Sequence, residues 1–292
     1  MPNSQSILAG LQAKGSQKAR ATYARHGIPL ERSYGVSVAD LKVIAKKIKG
    51  RQALALELYE TGIMDAMYLA GMVASGALMS RSQLQFWADG SGGMTMIAEY
   101  TVPWVTVENP EARTLATQWI DSPRPHVATS GWCSYAGLLA TQPDSTLDLA
   151  EIESLLDSVV RRIHTAPNRV RLTMNGFVIA VAAYVKPLHT AAQAAAHKIG
   201  VVTADMGDTD CQIRLATEAI AKGRSRWQSG PEKENHPLLI PSRPACSSSI
   251  SPISIATFPS APSIGLRKMA RKSAKMRPFT ASEITSHPPL NE

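Results

Sequence analysis

Up to about residue 222, the apolar positions of this chain recur at helical spacing. The segment SVADLKVIAKKIKG (37–50) shows the pattern well. Ser37 is placed to cap a first turn, and Asp40, three residues on, suits the positive end of a helix. Leu41, Ile44, Ala45 and Ile48 then fall on one face, Lys42, Lys46, Lys47 and Lys49 occupy the remainder, and Gly50 is a natural stop. ALALELYETG (53–62) predicts a helix ending at Gly62. DAMYLAGMVASGALM (65–79) is apolar nearly all round, which predicts a buried helix. In Asn109-Pro110-Glu111 a capping residue, a proline for the first helical position and an acid for the first turn stand in order, predicting a helix to about Ile120.

Short proline-bearing turns punctuate the rest. SPRP (122–125) precedes HVATSGWCSYAGLLA, TQPDS (141–145) precedes LAEIESLLDSVVRRIH, and TAPN (165–168) precedes RVRLTMNGFVIAVAAYV. Helices of this length joined by such turns predict antiparallel pairs. Pairs recurring about every 35–45 residues predict an all-α architecture, a HEAT-like or ARM-type α-α superhelix, with an irregular helical bundle as the alternative. The pattern breaks near Gly223. Residues 223–292 hold ten of the nineteen prolines and a serine cluster, and no period survives there. The expected organisation is a helical-repeat domain over 1–222 and a disordered Pro/Ser-rich basic tail over 223–292, unable to bury enough apolar surface to offset its ordering entropy. Within it GLRKMARKSAKMR (265–277) carries six Lys/Arg and no acid, a stretch open to loose nucleic-acid contact, localisation or plain solvation.

Composition narrows the function classes. No 18-residue uncharged apolar run exists, and the N-terminus lacks a basic region followed by an apolar one, so neither a membrane span nor a secretory signal is expected. Cys133, Cys211 and Cys246 are widely spaced with no CxxC, so no disulfide scaffold, metal site or cofactor is expected, and a reducing cytoplasm fits. The net charge of +8 is unevenly distributed. Residues 1–51 carry ten Lys/Arg and two acids, 52–160 three and thirteen, and 161–186 five and none. Two basic zones flanking an acidic middle fit a polyanion partner if the fold brings them to one face; solvated helix surfaces are the other reading.

Several residues stand out on chemistry. Glu99 lies inside the apolar stretch MIAEYTVPW, where a carboxylate is paired, exposed on one side of a helix, or functional. Trp104 is close to it in sequence. Arg169 and Arg171 open a helix, where two cations oppose the helix dipole and call for a counter-ion, either a phosphate of a polyanion partner or an acid of a neighbouring helix such as Glu153 or Asp157. Asn175 lies one turn beyond Arg171. ADMGDTDC (204–211) has three aspartates around Gly207 but lacks the closing glutamate of a calcium loop, so a turn before the last helix is expected rather than a metal site.

Several phrases together resemble the DNA alkylation repair family, the HEAT-like-repeat alkylpurine DNA glycosylases and their relatives. They are YGVSVADLKVIAKKIKG (34–50), ALALELYETGIMDAMYLAGMVA (53–74), IAEYTVPWVTVENP (97–110) with WIDSP (119–123), NRVRLTMNGFVIAVAAYVKPL (168–188) and ADMGDTDC (204–211), collinear over about residues 20–222. The resemblance implies a superhelix whose concave face binds duplex DNA and, in catalytic members, releases cationic N3- or N7-alkylpurines. Such a base is already a good leaving group. The chemistry asks for a carboxylate near the sugar, aromatic rings for cationic groups and basic residues for phosphates. On this chain the resemblance places Glu99 as the carboxylate and Tyr100, Trp104 and Phe177 as aromatics. Arg169, Arg171, Asn175 and Lys186 fall on the DNA-contacting helix. The chain departs from the pattern in two places. Met94 stands where an aromatic is expected, and no arginine occurs near HVATSGW, where Arg124 and His126 are the closest polar groups.

Two functions follow as expectations. One is a glycosylase acting on alkylated duplex DNA, working as a monomer. The other is a non-catalytic helical-repeat module that binds nucleic acid or a protein partner. The two departures weigh on base excision more than on DNA binding.

Overall fold

The computed structural model describes residues 2–227. Among these, all regular structure is helical. The chain opens with α1 (Ser4–Lys14) and α2 (Gln17–Arg25), capped by Asn3 and Ser16. Next come α3 (Val38–Lys47), α4 (Gln52–Glu60), α5 (Met64–Val73) and α6 (Arg81–Gly90). A short π-helical turn (Ile97–Thr101) leads directly into α7 (Val102–Thr106). Then follow α8 (Ala112–Ile120), α9 (Pro125–Thr141), α10 (Leu149–Arg162), α11 (Asn168–Tyr184), α12 (His189–Ile199) and α13 (Ala216–Trp227). The last helix runs through Gly223, so the compositional break falls inside it. The remainder of the expected tail, with its basic stretch 265–277 and Cys246, lies outside the described residues.

The caps follow local chemistry. Ser37 Oγ accepts the Asp40 N–H at 3.1 Å, and Gly50 takes the positive φ that ends the α3 region. Two boundaries differ from the sequence expectation. The apolar run 65–79 is not one helix: α5 stops at Val73, because the next turn must let Gly76 meet the Val105 carbonyl so closely that a Cβ would sit 1.6 Å from its oxygen. The helix expected from Asn109 begins at Ala112. Asn109 spends its side chain elsewhere. Its Oδ1 accepts the Glu111 N–H, while its Nδ2 donates to the carbonyls of Gly76 and Met79 at 2.8 and 2.9 Å.

The helices stack in two rows. α3, α5, the 97–106 segment, α9, α11 and α13 are successive neighbours in one row, and α4, α6, α8, α10 and α12 cover it. This is the expected all-α superhelix of paired helices. α8 shows how the core is shared along the stack. Leu115 and Trp119 face the N-terminal half of the core, whereas Ala112, Ala116 and Ile120 face the C-terminal half. Both sets are spaced by one helical turn.

Hydrogen bonds repeat with the stack. Asn109 reaches back 33 residues to Gly76, Ser130 reaches 32 residues to Ala98, and Trp119 Nε1 donates to Gln85 across 34 residues. Arg113 pairs with Asp148 and Glu151, 35 and 38 residues on, and Arg162 with Asp121 across 41. A tie of 30–41 residues joins one repeat to the next. Arg32 reaches further, donating to the carbonyls of Gly62 and Gly92. Asp65, fully buried in α5, holds the YGV segment by accepting from Ser33 Oγ and from the N–H groups of Tyr34 and Val36. Among the described residues no helix is long and apolar enough to cross a membrane.

Candidate functional site

The site is built on the π turn. In this turn Val102 N–H bonds the Ile97 carbonyl, five residues back. Pro103 follows, with no N–H to give, so the Ala98 carbonyl that it would have served is left over. Ser130 Oγ of α9 donates to that carbonyl at 2.8 Å. Pro103 thus accounts for the irregular turn, and Ser130 for its survival in a buried place. Glu99 sits in the middle of the turn with its side chain only 6% exposed.

Arg169, at the start of α11, comes to Glu99. Its Nε donates to Glu99 Oε1 at 2.7 Å, and a terminal nitrogen lies 2.5 Å from the same oxygen. The two residues are 70 apart in sequence, twice the interval of the ties between neighbouring repeats. The contact passes α9, which packs against both α11 and the 97–101 turn, and it marks the face we call the inner face of the row. Burial raises the Glu99 carboxyl above its ordinary range, and the Arg169 guanidinium opposes that shift. Cys133 of α9 lies in the same electrostatic neighbourhood, where burial drives its thiol well up.

Arg171 is used differently. Its Nε donates to the Ala166 carbonyl at 2.7 Å and its Nη1 to the Thr203 carbonyl at 3.2 Å. The mild misfit of two cations at a helix N-terminus is therefore resolved within the protein, by Glu99 and by main-chain carbonyls, and not by Glu153 or Asp157. Asn175 is buried, and its Nδ2 donates to the Arg214 carbonyl at 3.0 Å while Oδ1 has no hydrogen-bond partner among the described residues.

The other sequence candidates are scattered along the stack. Tyr100 and Trp104 are half-buried on consecutive turns, and Trp104 meets Tyr68 of α5 edge-on at 5.2 Å. Phe177 is sealed in the core between Trp132 and Tyr135, at 5.1 and 5.8 Å, so its ring packs helices and does not face solvent. Lys186 is exposed just past the far end of α11, about 25 Å from Arg169 by the helical rise. Met94 is buried. Arg124 pairs with Asp89 at 2.7 Å, and His126 packs against Gly92. Trp119 and Trp132 are core residues, and Trp87 stacks on Tyr59 at 4.0 Å. The structure thus brings Glu99 and Arg169 together and leaves Arg171, Asn175, Lys186 and Phe177 in separate surroundings.

The segment 204–211, expected as a turn, also covers the pair, a contact its sequence does not signal. Met206 Sδ accepts from Arg169 Nη1 at 3.4 Å, and His26 lies close enough for Arg169 to act on it. Burial first, then the charges of Arg169 and Arg25, hold the His26 imidazole below its ordinary range. Among the described residues no cluster of His, Cys, Asp and Glu has the makings of a metal site. Asp205 Oδ1 accepts the Gly207 N–H and thereby shapes its own turn.

A family model described as DNA alkylation repair enzyme matches residues 7–198. The chain belongs to the DNA alkylation repair enzyme family. The chain is similar to the uncharacterized proteins Lmo0209 of Listeria monocytogenes and Lin0241 of Listeria innocua. Each is 27% identical over 219 residues, which is 74% of this chain and 95% of theirs. A solved structure, described as a new family of proteins related to the HEAT-like repeat DNA glycosylases with affinity for branched DNA structures, superposes with a TM-score of 0.71. It is 33% identical and covers 77% of this chain and 95% of its own. The family and the HEAT-like fold expected from the sequence are those found.

Proposed function

We propose that this protein binds DNA of unusual structure, branched DNA in particular, and does not excise bases. The observation that carries this is the engagement of Glu99. A carboxylate that stabilises a developing oxocarbenium ion must face the sugar with its charge available. Glu99 is buried, and its Oε1 receives two nitrogens of Arg169. Arg169 beside it is occupied by the same bond and is not free for a phosphate. Two further features agree: a buried methionine, Met94, at the position of an expected aromatic, and Phe177 inside the core.

Binding asks less of the site than catalysis. Phosphate contacts need cations on an accessible face, and they need no pre-aligned carboxylate. The N-terminal helices offer exposed Lys18, Arg25, Lys46, Lys47 and Lys49, and the C-terminal half offers Arg161 and Lys186. Half-buried Tyr100 and Trp104 are aromatic surface of the kind that stacks on an unpaired base. The affinity for branched DNA of the 33%-identical relative supports DNA as the ligand class.

The test is fluorescence anisotropy with a four-way junction and with linear duplex of the same arm sequence, over a range of salt. The reading expects about tenfold tighter binding to the junction, with log affinity falling by about 0.9 per phosphate contact as log salt rises. Equal affinity for the two DNAs would remove branched structure as the preferred ligand. Absence of salt-sensitive binding to either would remove DNA altogether.

A further inference from the structure

The segment 203–211 does more than connect α12 to α13. Its first part is tied to α11. Thr203 accepts from Arg171, while Asn168 and Asp205 exchange a pair of bonds, Asn168 Nδ2 to the Asp205 carbonyl at 2.7 Å and Asp205 N–H to Asn168 Oδ1 at 2.6 Å. From there the segment crosses to the beginning of the chain. The Asp208 N–H donates to the Arg25 carbonyl at 2.9 Å. That carbonyl is at the C-terminal end of α2, where the helix can supply no donor of its own. Gly207 makes the approach possible. It takes φ +75°, and a Cβ there would sit 2.1 Å from the Arg25 oxygen. The first and last repeats of the described chain are joined by this contact across the inner face.

Beneath it lies the ion pair. Met206, at the centre of the segment, is buried with its sulfur on Arg169. Above it, Asp205, Asp208 and Asp210 are exposed. The segment therefore sets three exposed acids beside Arg25 and Arg171, cations that would otherwise meet an approaching phosphate. Its apolar hold is the small cluster of Leu172, Met206 and Cys211, and its link to α2 is a single main-chain hydrogen bond near the surface, a contact of the kind that opens at the low-stability end of a structure.

We propose that residues 203–211 form a clasp that closes the inner face of the repeat stack and must open for a DNA phosphate to reach Arg171, whose Nη1 the Thr203 carbonyl now holds. This rests on the DNA-binding reading above. A binder whose competent state is only partly populated shows an affinity reduced by that fraction, so weakening the clasp should strengthen binding.

The test uses the full chain and two variants. Gly207→Val places a branched side chain against the Arg25 carbonyl in a backbone conformation that valine avoids. Asn168→Ala cuts the paired bonds to Asp205 without entering the core. Hydrogen exchange of the Asp208 amide and anisotropy with a four-way junction are read on all three proteins, with thermal melts to show that the fold is kept. The expected results are a protected Asp208 amide in the free wild type, its loss of protection in both variants and in the wild-type complex with DNA, and about tenfold tighter junction binding by the variants. An unprotected Asp208 amide in the free wild type overturns the clasp whatever the DNA result. So does junction binding by folded variants that is no tighter than wild type. If wild type and both variants bind no DNA at all, the DNA-binding reading fails and the gate falls with it, an outcome distinct from DNA binding without a clasp effect.

Discussion

The two faces of the stack are held by ion pairs of opposite character. On the cover row, Arg113 bridges Asp148 and Glu151, Arg81 meets Glu111, and Arg162 meets Asp121, with side chains about half exposed in most cases. Each joins one repeat to the next. Pairs of this kind gain little, because water screens them and long side chains lose freedom in making them. On the inner face Arg169 and Glu99 join elements two repeats apart, with the carboxylate out of water. A buried pair is no proof of added stability, since replacing both partners by apolar groups is often neutral, but removing one partner leaves a stranded charge. The contrast teaches where the fold can tolerate change. The outer ties are individually dispensable, whereas the inner one is needed as a unit.

The largest break in the comparison comes from Arg169→Met. It strands Glu99, and a loss of about 3 kcal/mol is expected in urea unfolding, the lower end for buried pairs because Arg169 keeps 26% of its side-chain surface exposed. The double variant Glu99→Met with Arg169→Met should recover most of that loss. A double variant as unstable as the single one would mean that the pair itself, and not the stranded charge, carries the energy.

Next in size is Asn109→Ala, a change in neither ion-pair class. It leaves the Gly76 and Met79 carbonyls and the Glu111 N–H without their partner, and a loss of about 2 kcal/mol is expected. A loss as small as that of an outer ion pair would show that water replaces the amide freely.

The smallest effect is that of Arg113→Met, expected below about 1 kcal/mol at neutral pH. Its pH dependence has a definite sign. Hydrogen bonding from Arg113 holds the Glu151 carboxyl below its ordinary range, so this contribution is present above the unfolded carboxylate range and is lost as pH falls through the lowered folded value. The difference in melting temperature between wild type and Arg113→Met should therefore shrink on acidification from pH 7 to below pH 4. A constant or growing difference would assign the effect to packing of the arginine stem.

The local rules were legible in the sequence, and the long-range ones were not. Ser37 and Gly50 mark the limits of α3 because capping and positive φ depend on residues a few positions apart. The repeat spacing was readable because stacked helices of similar length recur. Asn109 was recognised as a capping residue, yet its bonds to Gly76 and Met79 could not be foreseen from its own neighbourhood. Glu99 stood out as an acid in an apolar stretch. The same signal was present at Asp65, the buried acid that holds the YGV segment. What no local pattern could state was the partner of Glu99, because Arg169 lies 70 residues away and meets it only across the packing of α9 and α11. The contact of Asp208 with Arg25 was hidden for the same reason. Gly207 was its one local sign, read as a turn residue and not as a point of close approach.

The central claim is that Glu99 is a structural partner of Arg169 and not a catalytic carboxylate. It is tested most directly by single-turnover release of N7-methylpurine from methylated duplex DNA, comparing wild type with Glu99→Gln and recording thermal melts of both. The account predicts no release above background by the wild type, and a lowered melting temperature for Glu99→Gln. Release by the wild type that disappears in Glu99→Gln, with the melting temperature unchanged, would contradict it.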